Sequence, residues 1–548
     1  MTTDGRRSRS RPGRRSRALA LILTAALATG AIAAVAAPAW ARAPKGAKAQ
    51  KSGGSVTFAL VGETAGGWCL PQAQLATNGI EVAVAIYDPL TTVNSKGEYV
   101  PYLAKSVTPN ATFDEWTIAL RPDVTFHDGT PVDAAAVKLN LDSYRGANAA
   151  LPARLGVFTY ANIDTVTVTD PLTVVVTTKV PWPAFPAYLA SGRAGIAAPA
   201  QLDHPETCAT NMIGSGPFEL EEWRQYDSLT VVRNPDYWRK GYPKLDEIVF
   251  RPIPEAQTRV NGVTSGEFDL IQEASSLSIV DLREKAKEGD IKLFVSDKGS
   301  ETAYQMLNVS RAPFDDPLAR QAVAAAGDAN EVNRIRNKGI NTIASGPFPP
   351  DNPAHLDTVP RTHNLEKARA LAKEYEQKHG EPISFEYLAL PDPPLIRTAE
   401  LVKEQQAKAG IEVSIRTVDQ SALINDVLAG NFQSAGFLNH PGGDPDTQYA
   451  WWHSGSPVNF GRINDPVIDR LLDEGRVETD PAKRTATYKD LNRRFAKELY
   501  NLWAWYTLWA IGYQNDVGGV KGPPLPDGGG NPFALFGGVI PVLGLTKG

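Results

Sequence analysis

Seven histidines, at positions 127, 204, 355, 363, 379, 440 and 453, are the residues that could bring metal ligation or acid–base chemistry to this 548-residue chain. They are scattered, and His440 and His453 share a neighbourhood with Asp444 and Asp446 between them. Metal ligands on a loop rarely come without regular spacing, and Asp-Pro-Asp is also the sequence of an Asx-turn or helix cap, so ordinary turn polars outweigh a metal site. Nucleophile chemistry fares no better. Gly214-Ser215-Gly216 lacks the G-x-S-x-G spacing of a nucleophile elbow, and no C-x-x-C, H-E-x-x-H, Walker A or complete G-x-G-x-x-G is present. The chain is expected to be no enzyme and to carry no cofactor or metal. What remains is recognition chemistry. Trp68, the adjacent Trp451 and Trp452, and the alternating Trp503, Trp505 and Trp509 offer large rigid faces that stack on a flat or extended ligand or pack in a core.

Charge narrows the partners. The first 41 residues hold seven arginines and one acid, Asp4, whereas beyond them 49 basic residues face 60 acidic ones, a net −11. So acidic a body has no broad basic face for a phosphate backbone, which argues against nucleic acid. The head of the chain explains the split. Arg6 to Arg17 form a cationic region, residues 18–37 an Ala/Leu-rich apolar run, and Ala39-Trp40-Ala41 fits an A-x-A cleavage site, the pattern of an export signal over residues 1–41. The alternative is an uncleaved anchor, since 18–40 is long enough to cross a bilayer. Arg14-Arg15 leaves the twin-arginine route open. Residues 42–54 are small, cationic and Gly/Pro-bearing, a flexible tether.

These residues need elements to hold them. From Ser55, Val56, Phe58 and Leu60 alternate as in a half-buried strand, and the same period recurs at Trp116, Ile118 and Leu120, at Val166 and Val168, and in the β-branched run 172–176. Thr130 reads as the N-cap of a helix, with Pro131 at its first position and Asp133 completing a capping box. From Pro313 the texture becomes βαβα. Asp316-Pro317, Asn364, Asp465-Pro466 and Asp480-Pro481 open helices and Gly380, Gly410 and Gly430 close them, with strands around 383–387, 411–415 and 431–438 between. That rhythm predicts a mostly parallel sheet covered by helices, an α/β lobe.

Several stretches, in order, resemble the bacterial extracellular solute-binding proteins of the dipeptide, oligopeptide and nickel ABC importers, family 5. They are Phe126-His127-Asp128-Gly129-Thr130-Pro131, Gly214-Ser215-Gly216-Pro217-Phe218 with Glu222-Trp223, and Asn234-Pro235-Asp236-Tyr237-Trp238 followed by Pro243-Lys244-Leu245-Asp246. Thr264 through Asp269, 316–321 with Ala322, and Asn464-Asp465-Pro466 through Leu472 with Arg484 and Tyr488 extend the resemblance over nearly all of 54–525. It implies an α/β, two-lobed periplasmic-binding-protein-like fold with an additional subdomain inserted in lobe one and a hinge between the lobes. Lobe one would span 55–307, lobe two 308–503, and 504–548 would return to lobe one, with crossings near 307–309 and 503–507. The implied function is an extracytoplasmic receptor that captures a peptide-like or other small solute in the cleft and delivers it to an importer's permease and ATPase, as a monomer. An exported hydrolase, or a signalling or chaperone carrier without an importer, is the alternative.

The resemblance also marks where ligand would be touched: Asn78-Gly79-Ile80 in lobe one, Leu390 after a lobe-two strand, and the stretch from Phe437 to His440. Trp68, Trp451, Trp452, Trp503 and Trp505 join these as stacking faces or as core. Peptide-binding relatives often hold the ligand's amino terminus with an acid just after the Phe437-like position. Here that place reads Asn439-His440-Pro441, with Asp444 and Asp446 as the acids that would have to substitute. A grip by apolar and neutral polar contacts is therefore expected. Cys69 and Cys208, the only cysteines, are expected to pair in an exported chain, with two buried free thiols as the alternative.

Overall fold

In the computed structural model, which describes residues 53–64, 66–357, 363–439 and 443–548, the strand Ser55–Leu60 buries Val56 and Phe58 completely. It pairs in parallel with Glu247–Pro252 on one side and Leu270–Glu273 on the other. Around it a seven-stranded sheet runs in the order Lys292–Ser296, Trp509–Tyr513, Leu270–Glu273, Ser55–Leu60, Glu247–Pro252, Ser228–Arg233 and Phe218–Arg224. Trp509–Tyr513 comes from the end of the chain and is antiparallel to both neighbours, so the tail is stitched into the lobe that the first strand begins.

Between Ser55–Leu60 and Phe218–Arg224 in sequence lies a separate antiparallel sheet of four strands, Ala104–Pro109, Glu115–Leu120, Thr173–Thr178 and Ile163–Asp170 in spatial order. The helix Ala134–Tyr144 packs on it, burying Val137, Leu141 and Tyr144. Its N-cap is Asp133, which accepts from the Ala136 N–H at 2.8 Å, and not Thr130. Thr130 is held one turn earlier, its N–H and hydroxyl both donating to Asp128 Oδ1, and the Thr125–Pro131 bridge keeps the chain extended there. The other glycine-rich motif is explained by space. A side chain at Gly214 or Gly216 would run into the Ile86 carbonyl oxygen, at 1.9 and 2.6 Å from a Cβ. His127 fills the same corner. It accepts from the Gly214 N–H through Nδ1, its Nε2 reaches the Gly216 carbonyl oxygen, and burial pushes its pKa down to about 4.

The second lobe is built on five strands in the order Glu412–Thr417, Ser384–Ala389, Ser434–Asn439, Thr302–Leu307 and Asn501–Tyr506. The first three pair in parallel, while Thr302–Leu307 is antiparallel to both neighbours. The sheet is mixed, not mostly parallel, because its last two strands carry the chain in from the first lobe and back out. Asp316, Asn364, Asp392, Asp465 and Asp480 cap its helices Pro317–Ala326, Leu365–His379, Pro393–Ala407, Pro466–Val477 and Pro481–Glu498, each accepting a first-turn N–H.

Thr302–Leu307 thus belongs to the five-stranded sheet, where the sequence had placed it at the end of lobe one. The strand is buried at every position, so no polar/apolar alternation betrays which sheet it joins. The chain passes between the two large sheets at 297–301 and 507–508, and the two passages touch: the Thr507 N–H donates to the Glu301 carbonyl oxygen at 2.8 Å. The expected leader, 1–41, and most of the tether lie outside the described residues.

Candidate functional site

Between the two large sheets lies a cavity of about 890 Å³ with walls from both lobes and from the tail. Its position follows from the elements. The helix Thr77–Ile86 points its first turn into it, the passage at Glu301 forms its floor, and strands Ser384–Ala389, Ser434–Asn439 and Asn501–Tyr506 bring Tyr387, Phe437 and Trp505 to the opposite wall. Such a volume, with apolar walls interrupted by polar and charged side chains, suits a small solute.

Of the residues the sequence marked, Asn78, Ile80, Leu390, Phe437, Trp451, Trp505 and Trp509 line this cavity. The others do not. Asn439 and Trp452 border a much smaller neighbouring hollow of about 40 Å³, and Gly79 and Trp68 one of about 10 Å³. Trp68 is 1% exposed and set edge-on to Trp223. Trp503 is packed among Tyr304, Trp452 and Phe495, with ring centroids 4.9 to 6.2 Å away, so Trp452 and Trp503 belong to the second lobe's core. His440 lies outside the described residues.

The two acids available to replace a peptide anchor are already engaged. Asp444 caps the turn at Asp446 N–H and takes both ends of the Arg484 guanidinium, at 2.9 and 2.6 Å. Asp446 is fully buried. Its Oδ1 takes Arg476 Nε at 3.0 Å, its Oδ2 takes Trp182 Nε1 at 2.7 Å, and the Tyr188 hydroxyl sits 2.9 Å from Oδ2. Burial pushes the Asp446 carboxyl up, but the Arg476 guanidinium, with Arg484 and the Trp182 indole N–H, more than offsets it and holds the group below the ordinary carboxylate value. Trp182 and Tyr188 follow the four-stranded sheet in the first lobe, and Arg476 rides the second lobe's helix Pro466–Val477, so this carboxylate ties the lobes together. His453 turns away to stack on Tyr449, with Asp473 3.5 Å from its Nε2.

Sequence reasoning missed much of the charge in the cavity. Asp88, Arg193, Arg239, Glu301 and Arg336 all line it, in addition to the apolar and neutral contacts expected. Burial pushes both carboxyls up to about 7, against hydrogen bonds from Trp238 and Tyr237 to Asp88 and from Thr77 to Glu301. Phe533 and Phe536, from the Gly/Pro-rich tail, also face in. Bulky aromatics in so glycine-rich a stretch were the one available hint; Arg193 and Arg336 stand in sequence contexts with none.

The family description "Bacterial extracellular solute-binding proteins, family 5 Middle" matches residues 98–461, more than half of the chain. The glutathione-binding protein GsiB of Pectobacterium atrosepticum is 28% identical over 421 residues, covering 75% of this chain and 80% of that protein; its Escherichia coli K12 counterpart is 28% identical over 426 residues, covering 74% and 80%. Among solved structures, the PBP AgaA of A. tumefaciens R10 in complex with agropinic acid superposes with a TM-score of 0.79 at 25% identity, over 90% of this chain and 99% of that one. DppA of Helicobacter pylori, in complex with the peptide STSA, shares the fold at a TM-score of 0.78 and 20% identity, over 91% and 98%. With two lobes, an inserted four-stranded subdomain and a cleft for a solute, the chain belongs to family 5 of the bacterial extracellular solute-binding proteins and is a solute-binding receptor of the ABC importer type.

Proposed function

We propose that this receptor is exported by its first 41 residues, works as a monomer, closes on one small solute, and hands that solute unchanged to a permease driven by an ATPase. The observation that carries this reading is the cavity of about 890 Å³ whose walls come from both lobes, since a site split between two bodies joined by only two passages is filled by bringing them together. Lobe one is then 55–296 with the tail from 509, lobe two 302–506, and residues 297–301 and 507–508 absorb the rotation. The Asp446 contacts to Trp182 and Tyr188 support a closed arrangement, because opening the cleft would strip a buried carboxylate of two donors.

Small-angle scattering tests closure. Protein unfolded to release its solute and refolded should have a larger radius of gyration than the same protein resaturated with the solute recovered from its own host. An unchanged radius, or chemical conversion of that solute during incubation, would count against a hinged carrier.

A further inference from the structure

The cleft's arginines say what kind of solute it takes, given the receptor function above. Arg336 ends the helix Ala329–Arg336 and lines the second-lobe wall. Its guanidinium lies 4.7 Å from the Trp505 ring centroid, Nε donates to Thr398 Oγ1 at 3.1 Å, and Nη1 donates to Asn337 Oδ1. These contacts fix its plane and leave Nη2 without an acceptor among the described residues. Among the described residues no carboxylate stands within ion-pair distance; Asp392 acts only from farther away. On the first-lobe wall, Arg193 spends Nε on the Leu75 carbonyl oxygen at 2.7 Å, and its guanidinium makes no other hydrogen bond or ion pair among the described residues. The acid acting on it is Glu301, beyond ion-pair distance and itself taking the Thr77 hydroxyl at 3.2 Å. Arg239, by contrast, is occupied by the Pro524 carbonyl oxygen and the Tyr102 hydroxyl.

Both guanidiniums are half-buried at the cavity wall, and the desolvation there opposes the charge on each, a cost that no counter-ion among the described residues offsets. The cost is relieved where a planar anion can reach the unused N–H groups, and a carboxylate matches that fork in two parallel bonds. We propose that the solute is an acid with at least two carboxylates, one pairing with Arg336 and another with Arg193 on the facing wall, its apolar middle lying against Tyr304, Phe437 and Trp451. Binding such a solute would also join the lobes by charge.

The test is a binding panel on the intact exported chain. Glutathione, citrate and N-acetylglutamate are each titrated beside the same acid with its carboxyls esterified, together with glycerol 2-phosphate and the neutral disaccharide maltose. At least one acid should bind, about tenfold to a hundredfold more tightly than its ester, and Arg336→Gln or Arg193→Gln should collapse that preference toward one. The acid and ester comparison needs no variant, so a misfolded mutant cannot rescue or sink it. A panel without an acid hit, an ester that binds as well as its acid, or a phosphate or sugar preferred over every carboxylate overturns the proposal. Maltose or an ester binding tightly would do so while leaving the receptor function standing. Loss of all solute binding by the natively purified chain would remove both.

Discussion

Trp503 and Trp505 show how one bulge decides a side chain's work. Alternation puts both on one face of the strand Asn501–Tyr506, but the pairing skips Ala504, with Trp505 opposite Ala303 and Trp503 opposite Tyr304. Trp503 packs in the aromatic core, whereas Trp505 lies under Arg336 beside the cavity. Trp503→Ala should therefore cost about 3–5 kcal/mol of stability in chemical denaturation, and Trp505→Ala should weaken solute binding more than it lowers stability; the reverse ranking would contradict these placements. Glu301 supplies a pH signature. Its folded-state carboxyl holds a proton up to about 7, against an ordinary value of 4.5. The folded chain then binds more protons than the unfolded chain across that window. The stability this group contributes is full below the lower value and lost as pH rises through the upper one. Relative to Glu301→Gln, the solute-free wild type should lose roughly 3 kcal/mol between pH 4.5 and 7 in urea titrations. A flat difference across that window would mean that burial does not hold the proton.

At the scale of elements, the Asp446 carboxylate joins the lobes, beside lesser ties such as the Ser276 hydroxyl donating to Asn341 Oδ1 at 2.7 Å. Removing Asp446 strands the Arg476 guanidinium and the Trp182 indole N–H inside, so Asp446→Ala should cost about 3–5 kcal/mol, with the loss shared by any probe placed in either lobe. A loss confined to the second lobe would show that the first-lobe donors contribute nothing. The helices around this contact were legible in sequence because their starts are chemical: Asp465-Pro466 and Asp480-Pro481 each pair an N–H acceptor with a residue already set for the first turn. The strand Thr302–Leu307 was not, since burial on both faces erases the period that would assign it to a sheet. The cleft was half legible for a related reason. Phe437, Leu390 and Trp451 stand at the ends of recognisable elements, but Arg193 sits in a loop at 191–195 and is brought to the cavity only by long-range packing against Leu75. The helix cap moved from Thr130 to Asp133 because Asp128 takes Thr130's hydroxyl and N–H first.

For the whole molecule, export and solute capture meet in the covalent and non-covalent ties that hold the first lobe. Cys69 and Cys208 are joined in the structure across 139 residues, a loop for which closure stabilises by at most about 5 kcal/mol. Intact-mass alkylation of the exported, denatured but unreduced chain should leave both cysteines unlabelled, and Cys69→Ser with Cys208→Ser should lower the unfolding midpoint; labelling of both would mean the bridge does not form. The tail adds a further tie, its Trp509–Tyr513 strand between two first-lobe strands and Phe533 and Phe536 at the cavity, so truncation before 509 should unfold the lobe as well as empty the cleft. Native mass spectrometry of the chain isolated from its own host puts solute capture to the most direct trial. A single small solute per chain, released on gentle activation with its mass intact and rebinding the emptied chain one to one, is the expected result. A covalent adduct, a converted product, or a chain that carries no solute and takes none back from its host's small-molecule extract would contradict it.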